Sequence, residues 1–408
     1  MRITHISKTA IISLVALLAV AIRMITWYIL KDQPAGSDWA TCYEPGALDI
    51  IEKKILQSGN AAFDFAPAYI FFLAAIFKFI NHSVVAMRIA QILLDGVTVF
   101  AIGLIGEMAF SRRVAVIACL SYAFYIPAIY LIGLGQPETV LTLSVTSLSL
   151  AWMLSVENGA WRNYALMGIA LMSTIFLKPN YTLFPLFFIV LTLIFRSKKW
   201  KAKISRLLVI IVIVSATAAA WSCARVKNSG SEHSSHTYLR ILYAGSILRP
   251  TLNDGALMPL DEFYETCKLV AEKKFGTYPP RDIDLLNITL ENWIRQFWPN
   301  PLKGLLFLKA KFRQIWYATN TGNGIGSLLW LPHFIILILA SIGFIHVLIR
   351  YKKLRLHWMQ FLLISYTILA LMLITPLLRL TIPIMPLMLL YTSEGLLVIF
   401  RRLGKNVK

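Results

Sequence analysis

The sequence predicts an all-α polytopic membrane protein, and three observations carry that prediction. Of 408 residues, 58% are hydrophobic, more than a soluble globular chain carries. They gather in runs of about twenty, the length a helix needs to cross ~30 Å of hydrocarbon, whereas a membrane barrel shows alternating segments of about ten. Lys and Arg, 40 against 20 Asp and Glu, cluster at the ends of those runs, where they set orientation and meet anionic headgroups. The net charge of +20 therefore does not point to nucleic acid.

In chain order the expected spans are 9–30, 85–108, 114–132, 138–156, 164–177, 181–195, 204–222, 327–349, 358–375 and 380–400. That makes about ten transmembrane helices, each recognised by its unbroken apolar character. The first follows MRITHISK and lacks a small-residue cleavage site, so it is a retained span rather than a signal peptide. The run 66–80 is shorter, opens near Pro67 and carries Lys78. Charge asymmetry assigns it. Only if 66–80 does not cross do Arg2, Arg112, Arg162, Arg196, Arg350 and Arg401, with the basic residues around them, share one side. By the positive-inside rule that side is the cytoplasm. Both termini are thus expected in the cytoplasm, with 66–80 as an interfacial or re-entrant outer-face helix whose Lys78 snorkels.

Three regions follow. Residues 1–222 form an N-terminal transmembrane module whose first outer loop, with its juxtamembrane helix, covers 31–80; 223–326 is a long outer loop; 327–408 holds the C-terminal spans. Within the long loop, 261–276 has helical periodicity between Pro259 and Gly276, and 290–317 mixes Trp and Phe with Lys and Arg as a helix in the headgroup layer does. Asn287-Ile288-Thr289 fits a glycosylation sequon, a pattern short enough for chance. Cys42, Cys223 and Cys267 fall outside the membrane, which allows a disulfide without selecting a pair, while Cys119 lies in a span. Asp95 also lies in a span and is expected to meet another polar group in the bundle.

The segment 36–67 holds Asp38, Glu44, Asp49, Glu52 and Asp64 beside the membrane, a concentration of carboxylates in a basic chain. Parity then places Asp38, Asp64 and Glu138 on one membrane face, with Lys178 and Arg379 at span ends on the same face. Each has a structural alternative. Asp38 and Asp64 suit helix N-caps, Glu138 suits the first turn of a span, Lys178 suits a snorkelling anchor, and Arg379 suits a headgroup salt bridge.

In this order and on this face, the motifs resemble those of the GT-C superfamily of integral membrane glycosyltransferases. The branch concerned contains protein O-mannosyltransferases and the lipid A aminoarabinose transferase. The motifs are Asp38 with Tyr43 and Ala47, Asp64-Phe65-Ala66-Pro67, MRIAQILLDG at the head of the second span, Pro137-Glu138, Lys178-Pro179, and Arg379 through Pro386. The resemblance implies a GT-C-like fold and transfer of a sugar from a polyprenyl-phosphate donor to a lipid, glycan or protein acceptor. The reaction would take place on the outer face of the cytoplasmic membrane, without a nucleotide. It implies Asp38 as catalytic base, Glu138 in the catalytic site, Asp64 as ligand of a divalent metal (Mg²⁺, Mn²⁺ or Ca²⁺), and Lys178, Arg379 and Tyr43 as donor or phosphate contacts. The spacing from Asp38 to Tyr43 is looser than the usual pattern, which keeps Glu44 and Asp49 open as the acid.

The chemistry asks for these residue types. An acceptor hydroxyl must lose a proton to a carboxylate as it attacks the anomeric carbon, and cations must meet the charge growing on the departing phosphate. A single displacement inverts that carbon. Two other functions stay open at this point: a lipid-linked sugar transporter or flippase, and an envelope polysaccharide polymerase or ligase relying on outer His233, His236, Arg240 and Arg249. The concentration of polar groups on one face, without paired broken-helix repeats, speaks against transport.

Overall fold

The computed structural model describes residues 8–52, 66–194, 207–220, 242–248, 258–276, 282–298, 300–318, 325–350, 354–374 and 376–406. Among these residues every regular element is helical. The first is α1 (Lys8–Ile29), followed by a π-helical turn (Trp39–Tyr43), α2 (Glu44–Ile51) and α3 (Pro67–Phe79). Next come α4 (Val84–Ala109), α5 (Arg112–Ala123), α6 (Ile126–Gly133), α7 (Glu138–Asn158), α8 (Trp161–Leu177), α9 (Phe184–Ile194) and α10 (Leu207–Ala220). The remainder are α11 (Leu260–Phe275), α12 (Asp282–Phe297), α13 (Pro301–Ile315), α14 (Ile325–Arg350), α15 (Trp358–Leu373) and α16 (Met385–Asn406).

By length and composition, five stretches can cross a membrane: Thr9–Ile29, Val84–Ala109, Glu138–Asn158, Trp330–Arg350 and Leu378–Leu403. The pair α5 and α6, bent by 47°, makes a sixth if counted as one span. The chain is thus a polytopic integral membrane protein. Other expected spans fold as shorter apolar helices, among them Pro179–Val190, Leu207–Ala220 and Trp358–Leu373, so among the described residues five or six of the ten expected spans meet the length and composition of a full crossing. The bend between α5 and α6 has a local cause: Pro127, at the second position of α6, cannot donate to the ladder and biases its approach toward extended backbone. The run 66–80 folds as α3, whose 13 residues reach only about 20 Å.

The chain forms two compact units. The first comprises Met1–Ser229, Ile336–Ile364 and Ile382–Lys408; the second comprises Gly230–Ile335 and Ser365–Thr381. In the first unit α4 is the central helix, packed against α1, α5 and α7, while α7 packs on α8 and α16 on α5. Ser83 and Ser111 cap α4 and α5 by accepting from the Ala86 and Val114 amides at 3.1 and 3.4 Å. The polar partner expected for Asp95 is Arg23 of α1, which pairs with it in the bundle interior.

In the second unit α11 begins after Pro259 and ends at Gly276, whose φ of +77° suits glycine. Its core holds Tyr243, Phe263, Cys267, Leu285, Ile288 and Leu377. Cys267 is a free, buried thiol there, so it belongs to no disulfide; Cys223 lies outside the described residues. The single helix expected over 290–317 is instead the end of α12 and all of α13. Pro301 suits the first position of a helix, where its missing N–H costs nothing, and Asn300 caps the restart by accepting from the Leu302 and Lys303 amides at 3.1 and 3.3 Å. The sequon falls inside α12, where Thr289 is buried and donates to the Leu285 carbonyl at 2.6 Å.

Candidate active site

The N-terminal end of α4 is the platform on which the segment after α1 and the turn before α7 meet. Arg88 and Gln91 project from successive turns of α4. The Arg88 guanidinium donates to the carbonyls of Gly133, Lys31 and Gln33 at 3.1, 3.1 and 2.6 Å. Gln91 donates to the Tyr69 hydroxyl at 2.6 Å. The Gly36 amide donates to the Leu134 carbonyl at 2.9 Å, joining the two outer segments directly. Gly135 has a φ of +67°, and a Cβ there would lie 2.5 Å from the Trp39 ring, so the turn takes glycine on both counts.

The π-helical turn after Asp38 buries Trp39 and Tyr43. Trp39 rests edge-on against Phe77 of α3, and Tyr43 rests edge-on against Tyr69, with ring centroids 5.8 and 5.0 Å apart. Burial, followed by the nearby Tyr43 and Glu138, holds the Tyr69 phenol well above its ordinary pKa. Tyr43, Tyr69 and Glu138 therefore share one environment.

Glu138 opens α7 directly after Pro137 and is fully buried. Lys178, the residue that ends α8, donates to its Oε1 at 3.0 Å and keeps 14% of its side chain exposed. The second oxygen of Glu138, Oε2, is buried and makes no hydrogen bond among the described residues. An ammonium has three protons, and among the described residues one of them serves Glu138. The pair is thus held together on one side and chemically incomplete on the other.

The predicted residues divide as follows. Glu138 and Lys178 meet directly, and Tyr43 is linked to them through its contact with Tyr69. Asp38 is half-buried at the start of the π-helical turn, makes no capping hydrogen bond to it, and precedes the Trp39 that packs on Gly135. Glu44, the alternative acid, pairs with His82 at 3.0 Å in an exposed contact. Arg379 lies half-buried in the short helical turn Leu378–Ile384 of the second unit. Asp64, His233, His236, Arg240 and Arg249 lie outside the described residues. Among the described residues no three His, Cys, Asp or Glu side chains gather as a metal requires. Glu138, one oxygen of which already holds an ammonium, does not by itself fit one.

Sequence reasoning missed Arg88, Gln91 and Tyr69. A signal existed for the first two, which are polar residues three apart at the head of an apolar span, where their cost implies a partner. Tyr69 inside an aromatic run gave none.

A helical membrane protein with a buried acid–cation pair, Glu138–Lys178, is the class these observations define. The family model for dolichyl-phosphate-mannose-protein mannosyltransferase matches residues 64–221. The resemblance to GT-C membrane glycosyltransferases stands over that segment, which covers less than half of the chain. It contains Glu138 and Lys178, begins after Asp38 and Tyr43, and ends before Arg379. No curated protein matches the chain.

Proposed function

We propose that this protein transfers a sugar from a polyprenyl-phosphate-linked donor to an acceptor hydroxyl on the outer face of the cytoplasmic membrane, inverting the anomeric carbon. The observation that carries the reading is the Glu138–Lys178 pair. It lies in the family-matched segment, neighbours Tyr69, and among the described residues retains an uncommitted carboxylate oxygen and ammonium protons. A saturated structural pair leaves neither.

In this reading Asp38 takes the proton of the acceptor hydroxyl as the bond from that oxygen to the anomeric carbon forms. The bond from the anomeric carbon to the phosphate oxygen breaks, and the polyprenyl phosphate leaves with the electron pair. Lys178 meets the growing phosphate charge with its remaining protons, Arg379 is the second candidate cation, and Tyr43 lines the donor side. Glu138 holds Lys178 in position and offers Oε2 to a sugar or acceptor hydroxyl. The acceptor is a lipid, glycan or protein. No step is assigned to a metal, because the described donors do not form a centre for one. Metal assistance through Asp64 has its own test, in which chelation stops turnover and Mg²⁺, Mn²⁺ or Ca²⁺ restores it.

The function is tested by supplying membranes bearing the protein with radiolabelled polyprenyl-phosphate sugars, namely mannose, glucose, galactose, aminoarabinose and arabinose, and measuring release of the carrier phosphate. Release by the wild type that disappears in folded Asp38→Asn supports the reading and names the donor. Silence with every carrier, in folded protein given membrane acceptors, turns the assignment toward transport or a diphosphate-linked donor.

A further inference from the structure

We propose that Arg88 is a positioning residue that sets the spacing between the first outer loop and the second outer turn. The proposal rests on the function proposed above, since the two segments it joins are those leading to Asp38 and Glu138. Arg88 is 4% exposed and sits in the second turn of α4, in a span where an arginine is costly unless it is used. All three of its hydrogen bonds go to backbone carbonyls, and those carbonyls come from two separate stretches of chain. Lys31 and Gln33 begin the loop that reaches Asp38, and Gly133 begins the turn that reaches Glu138.

The guanidinium is itself held in place. Its carbon lies 4.5 Å from the centroid of the Trp27 ring. The Trp27 indole donates to the Ile129 carbonyl at 2.9 Å, and a Cβ at Gly133 would lie 1.8 Å from that same indole. Guanidinium, indole and glycine therefore form a stack with no slack, and the plane of the guanidinium fixes where both carbonyl sets stand.

Charge alone does not explain the arrangement, because the contacts are to neutral carbonyls. A planar fork with five donors reaches three acceptors from two directions, and a lysine ammonium on a flexible stem does not reproduce that geometry. Gln91, one turn further along α4, extends the platform to Tyr69 and through it to Tyr43. One face of α4 thus positions both sides of the site without contributing a reacting atom.

The test uses the full-length protein in detergent or nanodiscs, with Arg88→Lys and Trp27→Phe as variants and two readouts. Hydrogen exchange reports the positioning independently of activity. In Arg88→Lys, amides in 31–43 and in 133–138 exchange faster together, while those in 385–406 keep the wild-type rate. Turnover reports the consequence: kcat falls about 10–100-fold, as expected when reacting groups are misplaced by about an ångström. KM for the donor stays within about threefold and the melting temperature of the solubilised protein stays near wild type.

Trp27→Phe, which retains every Arg88 hydrogen bond but loses the indole anchor, shows a smaller change in the same two segments. If Arg88→Lys fails to fold, this variant carries the exchange test. Faster exchange in only one segment, uniform loosening, or loss of kcat matched by loss of folded protein would overturn the proposal. If the wild type releases no carrier phosphate from any donor, the proposed function fails, and the exchange pattern still decides whether Arg88 joins the two segments.

Discussion

Two buried ion pairs in the first unit look alike in composition and differ in what surrounds them. In the interior, Arg23 of α1 pairs with Asp95 of α4. Its guanidinium also donates to the carbonyls of Ala19, Ala123 and Tyr122 at 3.2, 3.0 and 3.3 Å, and the Tyr122 hydroxyl donates to Asp95 at 2.9 Å. The contacts of that pair reach three helices, α1, α4 and α5. At the start of α7, Glu138 and Lys178 join that helix to the end of α8 through one hydrogen bond and leave Oε2 without a partner among the described residues. Burying charge is costly, and a pair repays the cost only when its remaining donors and acceptors are satisfied. In the interior pair the two atoms without another hydrogen bond, Arg23 Nε and Asp95 Oδ2, face each other, whereas Glu138 Oε2 faces no partner among the described residues.

The largest effect that separates them is on turnover. Asp38→Asn is expected to lower carrier-phosphate release by about 10²–10⁴-fold, the range for losing a positioned acid–base group, and Glu138→Gln by about 10²-fold through misplacement of Lys178 and the bound hydroxyl, both with solubilised protein of normal melting temperature. Next, Asp95→Ala strands the Arg23 charge. It should cost about 3–5 kcal/mol of stability, seen in thermal or denaturant unfolding, while release per folded molecule stays near wild type.

Lys178→Gln comes third. Loss of a charged hydrogen-bond donor, worth about 1.5–3 kcal/mol, corresponds to a rise in donor KM of about 10–100-fold, and Lys178→Arg should recover part of it.

The smallest effect lies in the second unit, where the contacts of buried Lys311 among the described residues are a carbonyl and two aromatic rings. The Lys311 ammonium donates to the Gly245 carbonyl and lies 5.3 Å from the Trp293 ring and 5.6 Å from that of Phe307. Burial pushes its pKa down to about 7. The unfolded chain therefore binds more protons than the folded one from about pH 7 up to the ordinary lysine range, and stability rises with pH across that window. The cost of holding the charged form is fully present below it. Lys311→Met should flatten the rise in melting temperature between pH 7 and 10.

The membrane fold was legible in the sequence because apolar runs are strong local signals, and the same reasoning named the residues of the Glu138–Lys178 pair without naming the pairing. Apolar runs declare helices, and the parity of basic clusters brought Asp38, Glu138 and Lys178, distant in the chain, onto one expected face. The joint between α5 and α6 and the break before α13 were also legible, in Pro127 and Pro301, and were passed over because apolar character outweighed them. The pairing of Asp95 with Arg23 was not legible, since nothing local says which of the other polar residues in the bundle shares its depth. The Arg88 contacts were hidden for a related reason. Their acceptors are backbone carbonyls, which every residue carries, so no side-chain pattern marks Lys31, Gln33 or Gly133 as partners.

The most direct test of the distinction is to measure carrier-phosphate release per folded molecule for Glu138→Gln and Asp95→Asn side by side, each a neutral and nearly isosteric change. Abolished release in the first with near-normal release in the second is the predicted result. Equal activity in both, or a loss confined to Asp95→Asn, would contradict it.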